Sequence, residues 1–168
     1  MSLFVCPLCA SPLQRTDRAY RCSSGHSFDI AAEGHTHLLP VNRKNSKMPG
    51  DDKGMAAARS AFLNEGYYAP LRDALCRLSL RLTGDTCCVL DTGCGEGYYS
   101  AQIAAELGAG LTGLDISKEA VRCAAAKYKN ARWLCASAAH IPVADGSAAL
   151  RTSLFAITLP EEFSAAKP

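Results

Sequence analysis

The sequence predicts an α/β protein, with a small cysteine-bearing module in front and a parallel sheet wound with helices behind. Three observations carry this. Cys6-Pro7-Leu8-Cys9 and Cys22-Ser23-Ser24-Gly25-His26 put two close pairs of metal-type ligands a hairpin's length apart. Val89-Leu90-Asp91-Thr92-Gly93-Cys94-Gly95-Glu96-Gly97 is a short apolar run that breaks into a glycine-rich turn. From residue 87 onward, strand-like and helix-like segments alternate, which implies parallel strands joined by right-handed crossovers.

Residues 1 to about 30 read as two hairpins, with Tyr20 and Phe28 placed to pack beneath a metal. Zinc takes four nitrogen or sulfur ligands at the corners of a tetrahedron, and each close pair can grip one edge. Cys6, Cys9, Cys22 and His26 are therefore expected to hold a structural Zn2+, with no position left for water. The alternatives are a disulfide from Cys6 to Cys9 or Cys22, or free thiols beside a surface histidine. The first residues lack the basic start and apolar run of a secretory signal, so a cytoplasmic, reducing setting is expected, which disfavours disulfides. A unit this small buries little apolar surface, and the metal is expected to supply most of its stability. His35, His37 and His140 stand apart and read as surface or packing residues. Cys76, Cys87, Cys88, Cys94, Cys123 and Cys135 read as small core residues, and Cys94 has no activating base nearby in sequence.

The chain divides into a metal module (1–39), a linker rich in Pro, Gly, Asn and Asp (40–54) and a partial sheet domain (55–168). Met55 to Asn64 is an alanine-rich helix begun near Asp52. Pro70 opens a second, with Leu71, Leu75, Leu78 and Leu82 at helical spacing and Gly84 at its end. Strand 87–91, helix 98–107, strand 110–115, helix 117–128 and strand 131–136 follow. Tyr67 and Tyr68 lie between the first two helices, where they either cover the core or close over a ligand.

The ligand of the glycine turn follows from its charges. A pyrophosphate site wants G-x-G-x-x-G, whereas here Asp91 precedes Gly93, Gly95 and Gly97, and Glu96 sits inside the turn. Carboxylates repel a pyrophosphate and suit a ligand with a sulfonium and an amino-acid end, which is S-adenosylmethionine. Asp115 closes the next strand, about where a carboxylate accepts hydrogen bonds from two ribose hydroxyls. The fold is then a zinc-ribbon-like module and a partial Rossmann-like class I methyltransferase sheet. Net charge is +2, but residues 1–48 hold six Lys or Arg against three acids, so the basic excess lies with the metal module. That points to RNA held by its phosphates, or to no more than a solvated face. No apolar run is long enough to span a membrane.

In this order the pieces resemble the bacterial 23S ribosomal RNA guanine-N1 methyltransferase family. The resemblance runs from Cys6 to about Ser147. It rests on the two ligand pairs, Pro49-Gly50-Asp51, Ala58-Arg59-Ser60-Ala61-Phe62-Leu63, Gly66-Tyr67-Tyr68-Ala69-Pro70-Leu71, and Asp91 to Tyr99. It implies that the zinc module helps recognise an RNA hairpin, that Cys6, Cys9, Cys22 and His26 bind zinc, and that Tyr68, Glu96 and Gly97 contact S-adenosylmethionine. It also implies a rRNA (guanine-N1)-methyltransferase acting on a 23S hairpin, with the general base unassigned. In the family a further cofactor-contacting histidine lies beyond position 168, and Ala148 to Phe155 only loosely resembles the fourth strand. The chain therefore reads as truncated, of doubtful activity, with its central strand left as an open edge. The alternatives are a zinc-containing RNA-binding protein without turnover, and a methyltransferase of small molecules, which leaves the zinc module unexplained. A homodimer stays open.

Overall fold

The computed structural model describes residues 3–40, 50–83, 88–157 and 160–161; the linker residues 41–49, Gly84 and Cys87 lie outside the described residues. The metal module is an antiparallel sheet of β1 (Phe4–Val5), β2 (Pro12–Arg15), β3 (Ala19–Arg21) and β4 (Ser27–Asp29), in that order. Its two ligand pairs occupy tight turns, one closed by Ala10 N–H to Cys6 O (2.8 Å) and the other by Cys22 N–H to His26 O (3.1 Å).

Two helices precede the main sheet. α1 (Lys53–Asn64) is capped by Asp52, whose side chain accepts from Met55 N–H at 2.9 Å, and α2 (Ala69–Leu82) carries Pro70 in its first turn. Then come β6 (Cys88–Thr92), α3 (Tyr98–Leu107), β7 (Gly110–Asp115), α4 (Lys118–Lys127), β8 (Arg132–Cys135) and β9 (Leu150–Thr152). The sequence-based ranges are met to within one or two residues. With β5 (His35–His37), a five-stranded sheet forms in the order β5-β8-β7-β6-β9, and every pairing in it is parallel.

β5 (His35–His37) is the strand the sequence concealed. His35 and His37 are not stray histidines: they pair with Trp133 and Cys135 at the edge of the main sheet, and His35 is buried there. Three residues with a His-Thr-His composition show no usable periodicity, so only the pairing reveals them. His140 is exposed, as expected. The second difference concerns β6. It is not an open edge, because β9 pairs with it over Val89↔Leu150 to Asp91↔Thr152, and Thr152 Oγ1 donates to Asp91 Oδ1 at 2.7 Å. Among the described residues β9 is the last strand on that side.

Side chains alternate across the strands and build two cores. Val89, Leu111 and Trp133 face Ala104, Val121, Ala124 and Ala125 of α3 and α4. Leu90, Leu114 and Leu134 face the other way and meet Phe4, Leu13 and Tyr20 of the metal module, with the Phe4 and Tyr20 rings 5.1 Å apart. A parallel sheet needs cover on both faces, and here the metal module supplies the second layer. The module's apolar contacts extend beyond its own small unit, because it shares a core with the sheet. Along α2, Cys76 and Ser79 are the buried positions, while Leu71, Leu78 and Leu82 are exposed. The helix packs on α3.

Candidate functional site: a carboxylate-lined cavity and a cysteine-histidine cluster

A cavity of about 430 Å³ opens at the C-terminal ends of β6 and β7, within the usual range of small-molecule sites. It lies beside β6, where the winding of the sheet reverses direction between β7 and β9, the normal place for a ligand in an open α/β sheet. The glycine turn and Asp115 form its floor; Asp51, Arg59 and Phe62 come from the start of α1 and α1 itself, and Tyr68 and Tyr99 from its flanks. Leu154, Phe155 and Ala156, just past β9, complete the wall.

The three glycines of the turn do different jobs. Gly95 (φ +54°) has nothing within 4 Å of where a Cβ would stand, so the backbone there is open to a ligand. At Gly93 that space is taken by the Ala156 methyl, and at Gly97 (φ +80°) by the Trp133 ring, 2.4 Å from a notional Cβ. Gly97 thus serves the packing of α3 on β8 and does not line the cavity. Asp91 does not line it either: it is buried behind the turn, bonded to Thr152.

Asp115 faces the cavity, its Oδ2 accepting from Gly95 N–H at 2.9 Å and its Oδ1 from Ser117 N–H at 2.8 Å. Burial pushes its carboxyl above the ordinary value, against those two donors. Glu96 is buried and lines the same cavity; Oε1 lies 3.4 Å from Lys127 Nζ, and Oε2 has no hydrogen-bond partner among the described residues. A buried oxygen without a donor, here at a cavity wall, is open to a hydrogen bond from a ligand. Tyr68 lines the cavity, its ring 5.8 Å from Phe62 and 6.3 Å from Phe155, while Tyr67 points outward. Cys94 is buried and its thiol is pushed well above the ordinary range by that burial, which removes it as a nucleophile.

Asp91 carries a pH signature. Burial raises its carboxyl to about 6 from 3.8, so the folded chain holds this proton more tightly than the unfolded one. The charged form therefore costs stability, fully above about pH 6 and not at all below about pH 4. Asp91→Asn should be on the order of 2–3 kcal/mol better placed relative to the parent at pH 7 than at pH 4. Denaturant titrations of both proteins at the two pH values measure this; an equal gap at both would refute it.

At the other end, the ligand atoms of Cys6, Cys9, Cys22 and His26 all lie within 4.8 Å of one another. Zinc–sulfur and zinc–nitrogen bonds of about 2.3 and 2.0–2.1 Å imply tetrahedron edges of roughly 3.8 Å between sulfurs and 3.6 Å between sulfur and nitrogen. The Cys9–Cys22 sulfurs stand 3.7 Å apart, and His26 Nδ1 is 3.5 Å from Cys6 Sγ and 3.4 Å from Cys22 Sγ. The donors fit zinc and are too far apart for a disulfide, and all three cysteines are free thiols. Hydrogen bonds from Ser11 and Ser24 pull the Cys9 thiol down to about 5, toward the thiolate a metal requires.

Comparison with known proteins agrees with both halves. The zinc-ribbon profile described as "RlmA, N-terminal" matches residues 4–47, and a methyltransferase-domain profile matches residues 89–166. The 23S rRNA (guanine(748)-N(1))-methyltransferase of Streptomyces fradiae is 40% identical over 162 residues, which is 94% of this chain. Over nearly its whole length the chain is similar to these methyltransferases. It spans 56% of the Streptomyces fradiae relative. It spans 59% of YxjB of Bacillus subtilis, a candidate 23S rRNA (guanine-N(1)-)-methyltransferase that is 31% identical over 96% of this chain. Among solved structures, a candidate S-adenosyl-L-methionine-dependent methyltransferase from Methanococcus maripaludis superposes with a TM-score of 0.61 at 19% identity, covering 74% of this chain and 63% of that one. DesVI of Streptomyces venezuelae gives 0.53 at 19%, covering 70% and 50%. These two speak for the fold.

Asp51, Tyr99 and Phe155 escaped sequence reasoning as site residues. Asp51 was hidden in a stretch of linker composition. Tyr99 stands two residues past Gly97 on the first turn of α3, where nothing in the sequence shows which way it faces, and Phe155 is brought in by packing from far along the chain.

Proposed function

We propose that the chain acts as an S-adenosylmethionine-dependent methyltransferase on N1 of a guanine in a 23S ribosomal RNA hairpin, in the cytoplasm. What carries the reading is the convergence of Asp115, the open face of Gly95 and the partnerless Glu96 oxygen on one cavity. Tyr68 closes over it from above. The bound donor would supply a sulfonium-activated methyl group. Asp115 would accept from ribose hydroxyls through lone pairs its two backbone donors leave over, and Glu96 Oε2 would take a hydrogen bond from the ammonium end. Gly97 and Asp91 act from behind by shaping the turn.

The acceptor must be unpaired before its N1 is within reach. At the cavity mouth Phe155 is 79% exposed and lies 6.1 Å from the Tyr99 ring, an aromatic surface fit to stack an extruded base. Arg15, Arg18 and Arg21 are exposed on the β2–β3 hairpin of the metal module, where phosphates would be met. Residues 1–39, 40–54 and 55–168 then divide the labour as RNA recognition, connection and methyl transfer.

Primer extension on 23S rRNA tests the proposal, because an N1-methylated guanine cannot pair and arrests the polymerase. We expect an arrest at one guanine that requires the methyl donor and disappears with Asp115→Ala. RNA retained on the protein with no arrest would instead favour binding without turnover.

A further inference from the structure

We propose that Arg59 is the anchor for the carboxylate at the amino-acid end of the methyl donor, and that Asp51 positions it. This rests on the S-adenosylmethionine reading of the cavity. Among the described residues, the charged ones lining that cavity are Asp51, Glu96, Asp115 and Arg59, one cation beside three acids. The donor brings two positive groups, which the acids suit, and one carboxylate, which they repel.

A glycine turn ahead of a helix can often receive an anion on free backbone N–H groups. This one is largely committed elsewhere. The N–H groups of Gly93 and Cys94 both bond to Leu114 O, that of Gly95 to Asp115 Oδ2, and that of Gly97 to Cys94 O. Lys127 pairs with Glu96 but does not line the cavity. Among the described residues, Arg59 is the cation that lines the cavity.

Arg59 is built for the task. Its Nε donates to Asp51 Oδ2 at 2.9 Å, and its terminal amino groups carry no other hydrogen bond among the described residues. The side chain is 54% exposed, so it can still be covered by a ligand. A guanidinium held by its Nε presents its outer edge as a two-pronged donor, the shape a carboxylate accepts. Asp51 is itself fixed, because Ser117 Oγ donates to its main-chain oxygen at 2.6 Å and Gly50 beside it packs on Ser117 without room for a Cβ. The strap at 50–52 thereby ties the anchor to the loop that carries Asp115.

Calorimetric titration with S-adenosylhomocysteine and with methylthioadenosine, which lacks the amino-acid end, separates the outcomes. In Arg59→Gln we expect S-adenosylhomocysteine to bind about 10- to 100-fold more weakly, as for loss of a charge-assisted hydrogen bond, with methylthioadenosine within twofold of the parent. Arg59→Lys should recover part of the loss, since it keeps the charge without the fork. Equal weakening of both ligands, or of neither, would overturn the assignment of Arg59 while leaving the cavity reading intact. A parent protein that binds neither ligand would overturn both.

Discussion

Stripping the metal is expected to unfold more than the metal module. Zinc contributes about 10–16 kcal/mol to free zinc-finger peptides, as much as or more than the whole stability of a typical domain at about 5–15 kcal/mol. Phe4, Leu13 and Tyr20 share a core with Leu90, Leu114 and Leu134, so loosening the β1–β4 turns uncovers one face of the main sheet. The prepared protein should contain one zinc per chain, and Cys22→Ser or prolonged chelation should remove it. Trp133 provides the readout, being the only tryptophan, 1% exposed, and on the opposite face under α3 and α4. Its emission should shift to the red on metal loss, together with the far-ultraviolet dichroism. A Trp133 signal that stays put while zinc leaves would show that the module melts alone.

The second large effect is expected at Gly97. An alanine there must hold the left-handed conformation, at about 1–2 kcal/mol, and place a methyl 2.4 Å from the buried Trp133 ring, an overpacking worth about 1–3 kcal/mol. The total of roughly 2–5 kcal/mol corresponds to a melting point lowered by roughly 5–20 °C for a chain of this size. Gly95→Ala (φ +54°) is the control, since it carries the same left-handed cost while its methyl enters open space. That variant should melt roughly 2–8 °C below the parent, for the backbone cost alone, yet bind S-adenosylhomocysteine at least tenfold more weakly, on the order of 1.4 kcal/mol. Equal melting points for the two variants would mean that the turn's glycines are interchangeable.

The contrast between those glycines shows how far the sequence could be read. The alternation from β6 to β8 and the ligand spacing at Cys6, Cys9, Cys22 and His26 are local signals, visible because strand, crossover helix and metal hairpin each have a fixed period or gap. Which glycine faces a ligand is not local: it depends on Trp133 and Ala156 arriving from far along the chain. The same holds for β5, three residues long and defined only by its partner β8, and for Arg59 and Asp51, which reach the cavity because α1 folds back over it. The leucines of α2 show the reverse case, where a clear helical period marks the helix without marking what it buries.

Because residues 4–20 roof the sheet that α3 and α4 floor, cutting the chain at Pro40 would not liberate a working second half. It would also carry away β5, the strand that guards the flank of β8. What looks in sequence like a detachable finger ahead of an enzyme is, in three dimensions, masonry common to both.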